Sequence, residues 1–128
     1  MHPIYRDGNK QREFADYKEK VDILTDNLIY DGFDTVFLQV RPNGDSMLES
    51  DFYPNSKYIA GSYGGEIEYD AISAFLEIAR SKGLSVHAWV NPFRLCGEIE
   101  LVNYGKGQLF EWYSLGLGKR IELGGDGL

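Results

Sequence analysis

At 128 residues, with 43% hydrophobic and 26% charged residues, the chain has the composition of one folded domain with a modest core, not that of a disordered segment. A net charge of −7, without a dense Lys/Arg stripe, argues against nucleic acid as a partner, because the overall field repels a polyanion. The single cysteine, Cys96, excludes an internal disulfide framework and a multi-cysteine zinc site, and is expected to behave as a small buried side chain.

Residues Met1 to Gly8 carry turn formers and no periodicity, and Asn9 fits as the N-cap of a first helix. In that helix Phe14, Tyr17, Val21, Leu24 and Leu28 recur at steps of three and four, one apolar stripe, with Glu13, Asp16, Lys20 and Asp26 on the far side. Gly32 closes it. A β-branched and aromatic run, Thr35 to Val40, predicts a buried parallel strand. A long loop rich in Gly, Asn, Ser, Pro and Tyr then runs from Arg41 to about Tyr69. Loops of that length in compact domains are uncommon and usually functional.

A second helix starts at an Asp70 N-cap, points Ile72, Phe75, Leu76 and Ala79 inward, and stops before Gly83. Leu84 to Val90 predicts the second strand, ended by the turn Asn91-Pro92. Beyond Leu95 the pattern weakens: Gln108 to Leu115 suits a short helix, and Arg120 to Leu123 suits one arm of a hairpin. No segment is apolar enough for a membrane span, and the first residues lack the apolar stretch of a signal peptide.

The order helix, strand, helix, strand permits parallel crossovers. In the first strand Val36, Leu38 and Val40 oppose Thr35, Phe37 and Gln39; in the second, Leu84, Val86, Ala88 and Val90 oppose Ser85, His87, Trp89 and Asn91. Each strand thus has an aliphatic face and a mixed face whose polar members reach its C-terminal end. An open doubly wound sheet is apolar on both faces, whereas a barrel interior turns polar toward its catalytic mouth. The alternation therefore favours part of a (β/α)₈ barrel, and places Gln39, Arg41, His87, Trp89 and Asn91 on the mouth side. A phosphate or nucleotide binder of the doubly wound class would carry its Gly-rich loop directly after a strand. Here Gly61, Gly64 and Gly65 lie far from one.

Two strings carry the candidate chemistry. In Arg41-Pro-Asn-Gly-Asp45, Pro42 and Gly44 restrict and redirect the backbone. Arg41 and Asp45 can bind an anionic or hydroxyl-rich ligand, with Arg41 keeping Asp45 ionised, or can staple the turn as an Arg–Asp pair. His87-Ala-Trp-Val-Asn-Pro-Phe-Arg94 puts Trp89 and His87 on one face, as a sugar-stacking ring and a polar neighbour. Asn91 can bond hydroxyls and Arg94 a carboxylate; a lone strand histidine equally serves as a hydrogen-bonded structural residue. With only His2 and His87 and no ligand cluster at metal spacing, neither a metal nor another cofactor is expected. Glycoside hydrolysis needs two carboxylates. Of Asp45, Glu49 and Asp51 only Asp45 is pinned near a strand end, so it is the one candidate catalytic acid.

Together, Asp31-Gly-Phe-Asp-Thr-Val-Phe-Leu-Gln-Val-Arg-Pro-Asn-Gly-Asp45, Tyr53-Pro-Asn-Ser-Lys-Tyr58 with Gly61, Tyr69-Asp70, and Gly83-Leu-Ser-Val-His-Ala-Trp-Val-Asn-Pro-Phe-Arg94 resemble the glycosyl-hydrolase-like 10 family over about residues 11 to 128. The resemblance implies a (β/α)₈ barrel that hydrolyses a glycosidic bond in a carbohydrate, such as a bacterial cell-wall or surface glycan, in proteins that are often exported. On their placement at the strand ends, Asp45 is the candidate catalytic residue, and Gln39, Arg41, Asn43, His87, Trp89, Asn91 and Arg94 are the candidate substrate-binding residues. The family's opening strand and a later strand ending in an acidic pair have no counterpart here. Residues 1–128 are therefore expected to form one incomplete α/β barrel domain, inactive alone and prone to self-association through exposed strand edges. The alternative is a non-catalytic carbohydrate-binding module using Trp89, Tyr53, Tyr58 and Arg41.

Overall fold

A computed structural model describes residues 4–97 together with Glu111, Ser114 and Leu115. The elements in order are β1 (Arg6–Asp7), β2 (Lys10–Gln11), α1 (Phe14–Tyr30), β3 (Thr35–Arg41), α2 (Lys57–Ala60), α3 (Ala71–Ser81) and β4 (Ser85–Val90). Strands β3 and β4 pair in parallel, and β1 pairs with β2 in a separate antiparallel hairpin. The architecture is mixed α/β, with small sheets and helices packed on one of them.

Both long helices end in the same way, and each ending feeds a strand. At the end of α1 the Gly32 amide donates to Ile29 and the Phe33 amide to Leu28; at the end of α3 the Gly83 amide donates to Arg80 and the Leu84 amide to Ala79. This is the paired bonding of a Schellman stop, with Gly32 (φ 88°) and Gly83 (φ 81°) in the left-handed conformation it requires. Asp70 caps α3 by accepting from the Ser73 amide at 2.9 Å, as its position predicts.

The start of the chain differs from expectation. Asn9 does not cap α1: it sits with Gly8 in the two-residue turn joining β1 to β2, while α1 begins at Phe14 behind Glu13, whose side chain makes no cap bond. Gly8 has φ 62° and among the described residues no non-glycine residue has positive φ, the signature of a II′ hairpin turn with glycine first. Strands of two residues are too short to show alternation, so the hairpin carries no periodic signal. It is tied to the far end of the long loop. The Gln11 side chain donates to the Tyr69 carbonyl and accepts from the Glu68 amide, and the Tyr69 hydroxyl donates to the Arg12 carbonyl.

The core lies between α1, α3 and the aliphatic face of the sheet. Tyr17 and Val21 from α1 meet Ile72, Phe75 and Ala79 from α3 over Leu38 and Leu84, with Val36, Val40 and Val86 packed against them. Thr25, an interruption of the apolar stripe, is also fully buried, its hydroxyl bonded to the Val21 carbonyl at 2.8 Å. Lys82, the C-cap of α3, clasps that helix to the second half of α1, reaching Asp22 at 2.6 Å and Asp26 at 2.8 Å. The aliphatic face is covered at the start of β4 but not at its end: Ala88 and Val90 are exposed, because α3 packs over the first half of that strand and no other described helix follows.

The long loop is not structureless. It adds Met47, Ile59 and Ala60 to the core and contains α2, capped by Ser56 and closed by left-handed Gly61. A parallel bridge joins Ser46 to Asn55. Of the helix expected over 108–115, Glu111 and Ser114 are helical, and the Leu115 amide donates to Glu111. The hairpin arm expected over 120–123 lies outside the described residues. Among the described residues no helix is long and apolar enough to cross a membrane.

Candidate functional site

Parallel register sets the site. Phe37 lies beside His87 and Gln39 beside Trp89, while Leu38 pairs with Ala88 on the opposite face. The mixed faces of the two strands are thus continuous and point away from α1 and α3. The Phe37 and His87 rings stack at 5.4 Å. Phe37 is 69% exposed and Trp89 51% exposed, so the described chain presents an open aromatic surface from the middle of both strands toward their C-terminal ends.

The strand ends are locked to each other. Trp89 donates from its indole nitrogen to the Asn91 side-chain oxygen at 2.9 Å, and the Asn91 amide nitrogen donates to the Pro42 carbonyl at 3.2 Å. The Asn91 backbone amide also donates to the Arg41 carbonyl. Asn91 thus spends both side-chain groups fixing the Trp89 ring against the first turn of the long loop. The i, i+2 spacing of Trp89 and Asn91 put them on one face in the sequence; their bond is new.

The pairing slips between Gln39 and Arg41, so that Arg41 stands beside Val90. Such an irregularity re-aims the side chains that follow. The Arg41 guanidinium lies 3.7 Å above the Tyr53 ring, well within cation–π range. It does not pair with Asp45, contrary to the Arg–Asp staple or activation considered from the sequence. The reason is the course of the chain: Gly44 (φ 68°) turns Asp45 into the interior of the loop, while Tyr53 returns to cover Arg41.

Asp45 is fully buried. One carboxylate oxygen accepts from the Asn43 amide at 2.8 Å and the other has no donor. Burial pushes its carboxyl above the ordinary carboxylate range, against the opposing pull of the Asn43 amide and the Ser56 hydroxyl. A raised pKa suits a general acid, but a side chain without accessible surface cannot touch a substrate in this conformation. Its visible work is to hold the turn. Asn43 and Gln39 are half-buried, and Arg94 and Phe93 lie exposed beyond the second strand. Cys96 is buried.

The structure brings Gln39, Arg41, Asn43, Trp89 and Asn91 to the C-terminal end of the two-stranded sheet, with His87 mid-strand beside Phe37 and Asp45 buried in the loop that follows β3. Tyr53 completes the set through Arg41. Its signal in the sequence was its place in the Tyr53–Tyr58 string, which did not say what the ring covers. Among the described residues no group of three or more His, Cys, Asp or Glu could hold a metal ion.

Comparison with known proteins bears on this end of the sheet. Residues 5–104 match the sequence profile of a family described as glycosyl hydrolase-like 10, a span that begins earlier and ends sooner than the resemblance read over 11–128. The chain is 39% identical over 64 residues to "Glycosyl hydrolase DigH" of Escherichia coli (strain K12), and to that of Shigella flexneri, covering 50% of this chain and 15% of the relative. It is 30% identical over 88 residues to "Glycosyl hydrolase YngK" of Bacillus subtilis (strain 168), covering 69% of this chain and 17% of the relative. The matched stretch is thus under a fifth of the length of these proteins.

Proposed function

Because this chain belongs to the glycosyl hydrolase-like 10 family, we propose that it is part of a glycoside hydrolase that cleaves an O-glycosidic bond in a glycan, with a bacterial cell-wall or surface polysaccharide as the substrate class. The observation that carries this reading is the open aromatic and polar surface at the C-terminal ends of β3 and β4, on the side away from the helices. In the proposed (β/α)₈ barrel that surface is the floor of the catalytic mouth. Trp89 offers a ring for a sugar to stack on, held in place by Asn91, and Gln39, Asn43 and His87 offer hydrogen bonds to hydroxyls.

Hydrolysis needs two carboxyl groups about 5 to 9 Å apart across the scissile bond. The described site has one carboxyl, Asp45, and it is enclosed. The segment is accordingly a substrate-binding part of the machinery, with the catalytic pair supplied from outside the described residues. Turnover by the 128-residue chain is expected to be absent on glycan strands and aryl-glycosides. Robust turnover lost in Asp45→Asn would overturn that division of labour and make Asp45 catalytic.

The burial of Asp45 also favours a second reading, in which the segment binds carbohydrate without cleaving it. Both readings require a saturable change in tryptophan fluorescence on titration with oligosaccharides, lost in Trp89→Ala. An unresponsive wild-type chain would count against both. Hydrolysis by the longer protein carrying this segment separates them.

A further inference from the structure

Resting on the glycan reading above, we propose that Arg41 is an anion subsite: it takes a carboxylate borne by the sugar chain, either a uronate or a carboxyl on an ether substituent. The chain is acidic, with 20 carboxylate side chains against 13 Lys and Arg, so a well-placed cation readily finds a protein partner. Several of its cations have done so, Lys20 among them at 3.8 Å from Asp16. Arg12 bonds Asp16 at 2.6 Å and the Ile4 and Arg6 carbonyls, and Lys82 bonds Asp22 and Asp26.

Arg41 differs from these. Its guanidinium is stacked on Tyr53, its Nε is shielded and has no acceptor, and among the described residues no carboxylate or carbonyl receives a hydrogen bond from it. The residue is only half-buried, so a ligand can reach it. Asp45, the nearest acid in sequence, is turned inward and bonded to the Asn43 amide.

A guanidinium held flat by an aromatic ring presents a fixed planar fork, which matches a carboxylate in two parallel hydrogen bonds. Stacking also removes much of the side-chain freedom that binding would otherwise have to freeze. The position is right for the purpose. Arg41 ends β3, its carbonyl is bonded to Asn91, and Asn91 holds Trp89. Through these bonds Arg41 is tied at the strand end to the residue that holds Trp89, although the slipped register pairs it with Val90 and not with Trp89.

The test is a titration of the full chain with two matched pairs of oligosaccharides: oligogalacturonate against its methyl ester, and carboxymethyl chito-oligosaccharide against the unmodified oligomer. At least one carboxylated member is expected to bind tenfold or more tightly than its neutral partner. The pair showing the preference identifies the carboxylate as uronate or ether-borne. Arg41→Gln should abolish the preference, Arg41→Lys should retain part of it, and Tyr53→Leu, which removes the ring that holds the guanidinium, should weaken it, each variant being checked for an unaltered melting transition. Equal affinity for charged and neutral partners, or a preference that survives in Arg41→Gln, overturns the assignment and leaves the glycan reading standing. Failure of all four oligosaccharides to bind overturns the glycan reading and the subsite with it.

Discussion

Asp45 shows how one side chain can be well placed in sequence and differently employed in space. Its carboxyl is fully buried with one oxygen lacking a donor, and burial holds its pKa above 3.8. As pH rises from that unfolded-state value through the raised native one, the folded chain keeps a proton that the unfolded chain has released. This contribution to stability therefore declines across that window and is level above it. Asp45→Asn keeps an acceptor for the Asn43 amide and removes the charge. Its urea-unfolding free energy is expected to match or exceed the parent's at pH 7, with a flatter dependence on pH from 4 to 7. Asp45→Ala removes the acceptor and should cost about 1 to 3 kcal/mol. A stability loss in Asp45→Asn as large as in the alanine variant would show that the charge itself is needed. The sequence put Asp45 and Arg41 near one strand end; in the structure Arg41 ends β3 and Asp45 is buried in the loop after it. It could not say that they turn apart, because that depends on where a distant residue, Tyr53, returns.

At the scale of elements, the segments with full periods were legible and the short ones were not. Helices α1 and α3 and strands β3 and β4 each repeat their apolar pattern over several residues and end in glycine or a turn. The hairpin and α2 span two to four residues per element, too few for a period, and are held by contacts between them. Gly61 is the point of closest approach. With φ 87°, it would place a Cβ 2.3 Å from the Asn9 carbonyl carbon and 2.8 Å from the Lys10 nitrogen. Gly83 has a similar φ, but a Cβ there meets nothing within 4 Å. Gly83→Ala should therefore lose only the left-handed conformational term, about 1 to 2 kcal/mol. Gly61→Ala should lose that and a further ~1–3 kcal/mol of overpacking as the hairpin is pushed away. Paired denaturation curves check the difference. Equal losses would mean that the hairpin yields freely and does not brace the loop.

For the whole molecule, the decisive asymmetry is between the two faces of the β3–β4 sheet. One carries the core under α1 and α3, with Ala88 and Val90 uncovered at its end; the other leaves Phe37, His87 and Trp89 open. The alternation in the sequence predicted which residues share each face. It could not predict how much of each face is covered, because coverage depends on neighbouring elements and not on the strand itself. A two-stranded parallel sheet also leaves a row of backbone donors and acceptors on each outer edge, a template for pairing with another chain. The chain is therefore expected to associate with itself, its apparent mass in sedimentation rising with concentration. Phe37 is the substitution that isolates the face from the fold. At 69% exposure its ring takes little part in the described core, so Phe37→Glu should leave the melting transition nearly unchanged. In an associated form, burying that ring is worth about 1.5 to 3 kcal/mol, and its replacement by a charge should weaken association at least tenfold. A parent chain that stays monomeric at every concentration would mean that the open face and edges are satisfied within the chain. Association unaffected by Phe37→Glu would instead assign it to the strand edges.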